Sequence, residues 1–180
     1  MRWEFYVNFS TFAIDAILFP MKDIYAVLQE LGISHVRHDH PAVFTVEESE
    51  KIGFKGAQGG DTKNLFLRNK KGDRHYLVSI GHHKKADLAE LRQKLGESSL
   101  SFASPERLLA KLGLTPGSVS LLGLVNNAGH DVIVIIDKAL WENPVVCCHP
   151  NANTATLEIP HDGLEKFLQH CGNELRVMEL

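Results

Sequence analysis

The side chains with chemistry in them fall in four places along the chain. Lys63 and Asn64 stand together ahead of an apolar run, a point charge beside an amide that both donates and accepts. Cys147-Cys148-His149 puts two thiols next to an imidazole. His38 and His40 lie two apart, a spacing that shares one face of a strand, and His82 and His83 are adjacent. A metal hydrolase would draw on the last three groups. Adjacent strand residues diverge, however, and neither Cys-x-x-Cys nor His-Glu-x-x-His spacing occurs, so no metal is expected. A cysteine nucleophile at Cys147 or Cys148 lacks a separate base and an orienting group, and buried strand cysteine is the commoner role. Asn151, Asn153 and Thr154 follow His149 with amide and hydroxyl groups; residues of this kind also satisfy their own turn backbone.

Charge narrows the partners. The chain has 180 residues, 44% of them hydrophobic, with a net charge of -3. It is no polycation, so any grip on nucleic acid must be local. Residues 63 to 94 supply one such locality: nine Lys and Arg against Asp73, Asp87 and Glu90. This block reads either as a solvated hairpin and helix face or as a compact phosphate-binding face. Three cysteines, two of them adjacent, make no disulfide framework and point to a reduced, cytoplasmic setting. No apolar run reaches the roughly 18 residues of a membrane span. The aromatic stretch at Trp3, Phe5, Tyr6, Phe9, Phe12 and Phe19 is broken by Glu4, Asn8 and Asp15 and lacks a good cleavage site, which disfavours a secretory signal. We read residues 1–20 as an N-terminal extension and 21–180 as one domain.

The positioning elements follow from periodicity and caps. Ile24, Val27, Leu28 and Leu31 recur at helical spacing and stop at Gly32. Ser34 to His38 reads as a short strand. Thr45-Val46-Glu47-Glu48 is a capping box for a helix to about Ile52, followed by a Gly-rich loop to Gly60. Lys63–Arg68 and Arg74–Ile80 form a predicted hairpin about Lys70-Lys71-Gly72-Asp73. Leu88, Leu91 and Leu95 line a helix, and Ser104-Pro105 opens another that stops at Gly113. Strands are expected at Val119–Val125, Val132–Ile136, Val145–Cys148 and Thr154–Ile159. A helix at Asp162–His170 and a closing strand at Glu174–Met178 complete the chain. Such irregular mixing with short turns predicts an α+β domain with a mixed, largely antiparallel sheet.

Five segments, in order, resemble the YbaK/prolyl-tRNA editing family. They are His40-Pro41-Ala42-Val43-Phe44-Thr45-Val46-Glu47-Glu48; Lys63-Asn64-Leu65-Phe66-Leu67-Arg68 with Tyr76-Leu77-Val78; Ser101 to Glu106 with Pro116 to Ser120; Gly123-Leu124-Val125-Asn126-Asn127; and His149-Pro150-Asn151-Ala152-Asn153-Thr154-Ala155-Thr156. The pattern is similar to the free-standing alanyl-tRNA(Pro) deacylase branch. The cysteinyl branch carries a different loop where this chain has Gly117-Ser118-Val119-Ser120. The resemblance implies a barrel-like sheet with surrounding helices and neither metal nor dissociable cofactor. It implies hydrolysis of the ester that joins a wrong amino acid, alanine first, to tRNA(Pro), with serine, threonine and cysteine open. The partner is the tRNA acceptor end, and prolyl-tRNA synthetase is a candidate second partner.

The resemblance assigns Lys63, Asn64 and His149 to the reacting centre. Lys63 would meet the terminal phosphate or the ester region, although lysines at strand starts are commonly just exposed. Lys63 and Asn64 face opposite ways on a regular strand, so both act at one centre only if the strand begins irregularly. Phe44, Thr45 and Val46 would wall the amino-acid pocket, with Gly123, Asn151, Asn153 and Thr154 contacting substrate. Such an ester is already activated, so the protein need only position it, admit water and stabilise the oxyanion. A module of the same fold that binds a tRNA end or a synthetase without turnover is the rival from another class.

Overall fold

The computed structural model describes residues 21–42 and 60–180. Helix α1 (Ile24–Glu30) begins where the Asp23 carboxylate accepts the Tyr25 N–H, and it buries Ile24 and Leu28. Strand β1 (Val36–Asp39) follows. The predicted hairpin forms from β2 (Thr62–Asn69) and β3 (His75–Gly81), paired antiparallel from Thr62↔Gly81 to Arg68↔His75. Its turn is tied by one side chain: Asn69 Oδ1 accepts from the backbone N–H groups of Gly72, Asp73 and Arg74, and Asn69 Nδ2 donates to Asp73. Gly72 takes the left-handed φ of 73° that this turn requires.

Helix α2 (Leu88–Lys94) is capped by Asp87, and α3 (Pro105–Leu112) by Ser104 with proline in its first turn; the short strand β4 (Leu100–Phe102) lies between them. Strand β5 (Val132–Asp137), the one-turn helix α4 (Lys138–Trp141), β6 (Val145–Cys148), β7 (Ala155–Pro160), α5 (His161–Cys171) and β8 (Leu175–Met178) complete the chain. Helix α5 has no side-chain cap, a feature worth about 1 kcal/mol. It is held instead by burial of Leu164, Phe167, Leu168 and Cys171, and each buried Leu or Phe contributes about 1.5–3 kcal/mol.

Two sheets result. One has the order β1-β7-β6, all antiparallel; the other has the order β4-β2-β3-β5-β8, in which β5 runs parallel to β3 and β8. They meet where β2 passes β6: Cys147 N–H donates to the Gly60 carbonyl at 2.8 Å, and Thr62 Oγ donates to the Cys147 carbonyl at 2.8 Å. The surface wraps like a barrel but stays open. The main core, including Leu28, Leu77, Leu112, Leu121, Val134, Leu157 and Phe167, lies inside this wrap. A second cluster of Leu67, Tyr76, Val78, Ile80 and Ile135 lies on the other face of the five-stranded sheet under Leu91 of α2. Among the described residues no helix is long and apolar enough to cross a membrane.

The expected strand at Val119–Val125 is instead a 3-10 helix, Leu121–Asn126, with Ser120 Oγ accepting the Leu122 N–H. All five residues from Leu121 to Val125 are buried, and a short continuous apolar run does not distinguish a strand from a buried helical turn. Consequently β5 takes its partners from β3 and β8. Helix α4 and strand β4 were not anticipated, since four and three residues carry too little periodicity. The predicted helix at Thr45–Ile52 lies outside the described residues.

Gly123 sits where the 3-10 helix touches Leu114; a Cβ there would lie 2.5 Å from Leu114 Cδ1. Gly123→Ala should therefore lower the unfolding free energy by about 1–3 kcal/mol in urea denaturation. An unchanged midpoint would mean that the contact relaxes freely.

Candidate active site

The five-stranded sheet places Asn64 of β2 opposite Ser79 of β3. Ser79 Oγ donates to Asn64 Oδ1 at 2.5 Å. Asn64 Nδ2 donates to the Val119 carbonyl at 3.1 Å and to Thr62 Oγ1 at 3.3 Å. Both amide hydrogens are thus committed, and one lone pair of Oδ1 remains open. The next residue along, Ser120, donates from Oγ to the His149 carbonyl at 2.6 Å. Asn64 and His149 are therefore two ends of one bonded chain through Val119-Ser120, although 85 residues separate them in sequence.

His149 leaves β6 into the loop before β7. Its Nδ1 lies 2.9 Å from the Ala155 carbonyl, which accepts only from an N–H; in the neutral ring Nε2 is then the acceptor. Burial pushes this imidazole below its usual value; the Ala155 carbonyl opposes that, and neighbouring His40 adds to it. The His40 ring centre is 6.0 Å from that of His149, and His40 Nε2 lies 3.0 Å from Thr156 Oγ1. Asn151, two residues on, has a left-handed φ of 61° and a buried Oδ1 with no hydrogen-bond partner among the described residues. Both features cost free energy, and such costs concentrate at functional sites. Asn153 is half-buried and Thr154 exposed, its carbonyl accepting the His40 N–H at 3.0 Å.

Lys63 lies on the opposite face of β2 from Asn64, as a regular strand requires. Its ammonium donates to the Lys84 carbonyl at 3.0 Å, leaving two N–H groups. Lys84 in turn makes a 2.8 Å ion pair with the buried Asp137. Asn64 and His149 are joined in one network, while Lys63 points to the other face of the sheet and is not brought to them. Phe44, Thr45 and Val46 lie outside the described residues. Gly123 belongs to the packing under the 3-10 helix.

His38 and His40 spread along β7 rather than converging: His38 lies 3.3 Å from Glu158, and His40 reaches Thr156. Among the described residues no group of three or more His, Cys, Asp or Glu could hold a metal ion. Burial pushes the Cys148 thiol up to about 12 and also raises Cys147, which keeps both protonated and poorly nucleophilic. Ser79 and Ser120, both fully buried, were missed in the sequence. Their signal was present: each is a hydroxyl within an otherwise apolar run.

Comparison with known proteins decides what this arrangement belongs to. The aminoacyl-tRNA editing domain family matches residues 40–167. The chain belongs to that family. It is 41% identical over 157 residues to the prolyl-tRNA editing protein ProX of Acetoanaerobium sticklandii, covering 87% of this chain and 95% of the relative. It is 35% identical over 150 residues to prolyl-tRNA synthetase associated domain-containing protein 1 of Danio rerio, covering 82% and 80%. A solved structure of a candidate trans-editing enzyme for prolyl tRNA synthetase superposes with a TM-score of 0.63 at 20% identity, over 88% of this chain and 95% of that one; it shares the fold. The editing domain of this chain therefore carries the Asn64–His149 arrangement at the join of its sheets.

Titration of the His149 ring by NMR should give a midpoint below the ordinary value of about 6.5. A midpoint at or above it would contradict the buried, neutral ring described here.

Proposed function

We propose that the protein hydrolyses the ester of mischarged tRNA(Pro) in trans, with alanyl-tRNA(Pro) as the preferred substrate. The observation that carries this reading is the bonded chain from Asn64 through Val119-Ser120 to His149 in a domain of the editing family. Relatives named for prolyl-tRNA editing and for prolyl-tRNA synthetase supply the tRNA(Pro) substrate class, and the synthetase is the candidate delivery partner.

An aminoacyl ester needs no protein nucleophile. Water attacks the carbonyl, the tetrahedral oxyanion forms, and its collapse releases the ribose hydroxyl and the free amino acid. The neutral Nε2 of His149 orients the water, and its proton bookkeeping is shared with the adjacent ribose hydroxyl. The open lone pair of Asn64 Oδ1 accepts from the substrate's ammonium or hydroxyl, since its two hydrogens are already engaged. Asn151 Oδ1 meets a second donor of the substrate, gaining the bond it lacks in the free protein. Lys63, on the other face of β2, holds a phosphate of the tRNA end with its two remaining N–H groups, as a point charge outside the reacting centre. Asn153 and Thr154 line the same loop, and Gly123 contributes by keeping the 3-10 helix close.

Phe44, Thr45 and Val46 form the wall that sets the amino acid. Attraction for one methyl group is worth only about 1–3 kcal/mol, so exclusion of the proline ring must carry most of the choice.

Purified protein should deacylate alanyl-tRNA(Pro) faster than seryl-, cysteinyl- or prolyl-tRNA(Pro), with the same rate in EDTA. Asn64→Ala and His149→Ala should each cost about 100-fold in kcat/KM. Activity should fall on acidification with a midpoint below about 6.5, because protonated His149 no longer accepts at Nε2. Survival of every ester at the buffer rate would leave a binding module in place of an enzyme.

A further inference from the structure

The basic block of residues 63 to 94 divides in the folded chain. Lys84 is paired with Asp137, Arg74 with Glu97 and Lys94 with Glu90. Lys63 is taken by the Lys84 carbonyl. Among the described residues, Arg68, Lys70 and Lys71 of the β2–β3 turn form no ion pair, although Asp73 lies near enough to Lys71 to be lowered by it; Lys85 and Arg92, outside the turn, form none either. Arg107 of α3 joins them from outside the block: its Nη1 donates to the Gly72 carbonyl at 2.8 Å and lies 3.0 Å from His75 Nε2.

We propose that this turn is a docking surface for the phosphate backbone of an RNA duplex, the acceptor stem next to the ester-bearing end. The proposal rests on the aminoacyl-tRNA reading above. Four features support it. Lys70, Lys71 and Arg107 are exposed. The two guanidinium groups are already ordered by backbone carbonyls, Arg68 by those of Asn69 and Lys70 at 3.0 and 3.2 Å, so little side-chain entropy is lost when phosphate arrives. The turn's own acid, Asp73, is kept ionised by the Asn69 amide and offsets one cation there, whereas the carboxylates of Glu97 and Asp131 are occupied by Arg74 and Lys111. The field of the cations is felt at His75, whose imidazole is lowered first by burial and then by Lys111 and Arg107.

Position and an exposed ring favour RNA over an acidic protein. Asn69 lies five strand residues from Asn64, about 17 Å at the rise of an extended chain. A duplex on the turn therefore leaves its single-stranded end to reach the bonded chain at Asn64. Phe102 of the edge strand pairs with Leu67, is 63% exposed and lies on the face of the sheet away from Asn64. An exposed ring is a stacking platform for an unpaired base.

The test is binding of uncharged tRNA(Pro), and of a hairpin copying its acceptor stem, by fluorescence anisotropy across a salt series. Lys70→Ala/Lys71→Ala should weaken both about tenfold near 0.1 M salt and reduce the slope of log affinity against log salt by about 2. Phe102→Ala should weaken binding with the slope unchanged. Lys166→Ala, a cation on α5, should change neither. Hydrolysis of a short aminoacylated oligonucleotide ending in CCA should be the same in wild type and the double variant. Wild-type affinity and slope in the double variant would overturn the proposal, as would an equal loss in Lys166→Ala or equally tight binding of poly-glutamate. If the wild type binds RNA through the turn but hydrolyses no ester, the docking surface stands and the deacylase reading falls. If it hydrolyses the ester and the double variant binds tRNA normally, the reverse holds.

Discussion

Where the two sheets meet, Cys147 shares its backbone N–H and carbonyl with Gly60 and Thr62, and those two hydrogen bonds hold β6 against the start of β2. Everything chemical in the molecule depends on this join. It fixes Thr62, which accepts from Asn64, and it fixes the strand from which His149 emerges. Without it the three-stranded sheet would be free to move away from the five-stranded one, and the Asn64–His149 chain would part. The cysteine side chains are buried.

The second constraint is desolvation. Ser79 and Ser120 are wholly buried, and an unpaired hydroxyl in such a place costs several tenths to a few kcal/mol. Each is satisfied within the chain from Asn64 to His149, so the network is rigid before any substrate arrives. Asn151 departs from this economy, with a strained backbone and an unsatisfied buried oxygen only two residues from His149. The fold thus provides both a pre-set frame and an open acceptor. Charge is handled differently. Lys84, Arg74 and Lys94 are paired with acids, while at the hairpin turn Arg68 is ordered by carbonyls and, among the described residues, Lys70 and Lys71 form no ion pair.

Local signals in the sequence were strong where one side chain settles the backbone. Asp87 and Ser104 cap helices, Asn69 with Gly72 closes the hairpin, and Gly113 ends α3 with a left-handed φ. They failed for Leu121–Asn126, where a wholly apolar run has no alternation to report, and where contact with Leu114 rather than propensity selects the conformation. Long-range pairing was equally hidden. Nothing local says that β5 lies between β3 and β8, since parallel neighbours are chosen by packing across distant segments.

The sequence by itself determined the family, the mixed α+β class, most element positions and the identity of Asn64, His149 and Lys63 as candidates, because motif order, caps and periodicity are properties of neighbouring residues. Only the tertiary structure decided which candidates meet. Strand alternation sends Lys63 and Asn64 to opposite faces, and the Val119-Ser120 segment bridges Asn64 to His149 across 85 residues. It also decided which cations of residues 63 to 94 are paired, because salt-bridge partners such as Asp137 and Glu97 come from parts of the chain that only folding brings near.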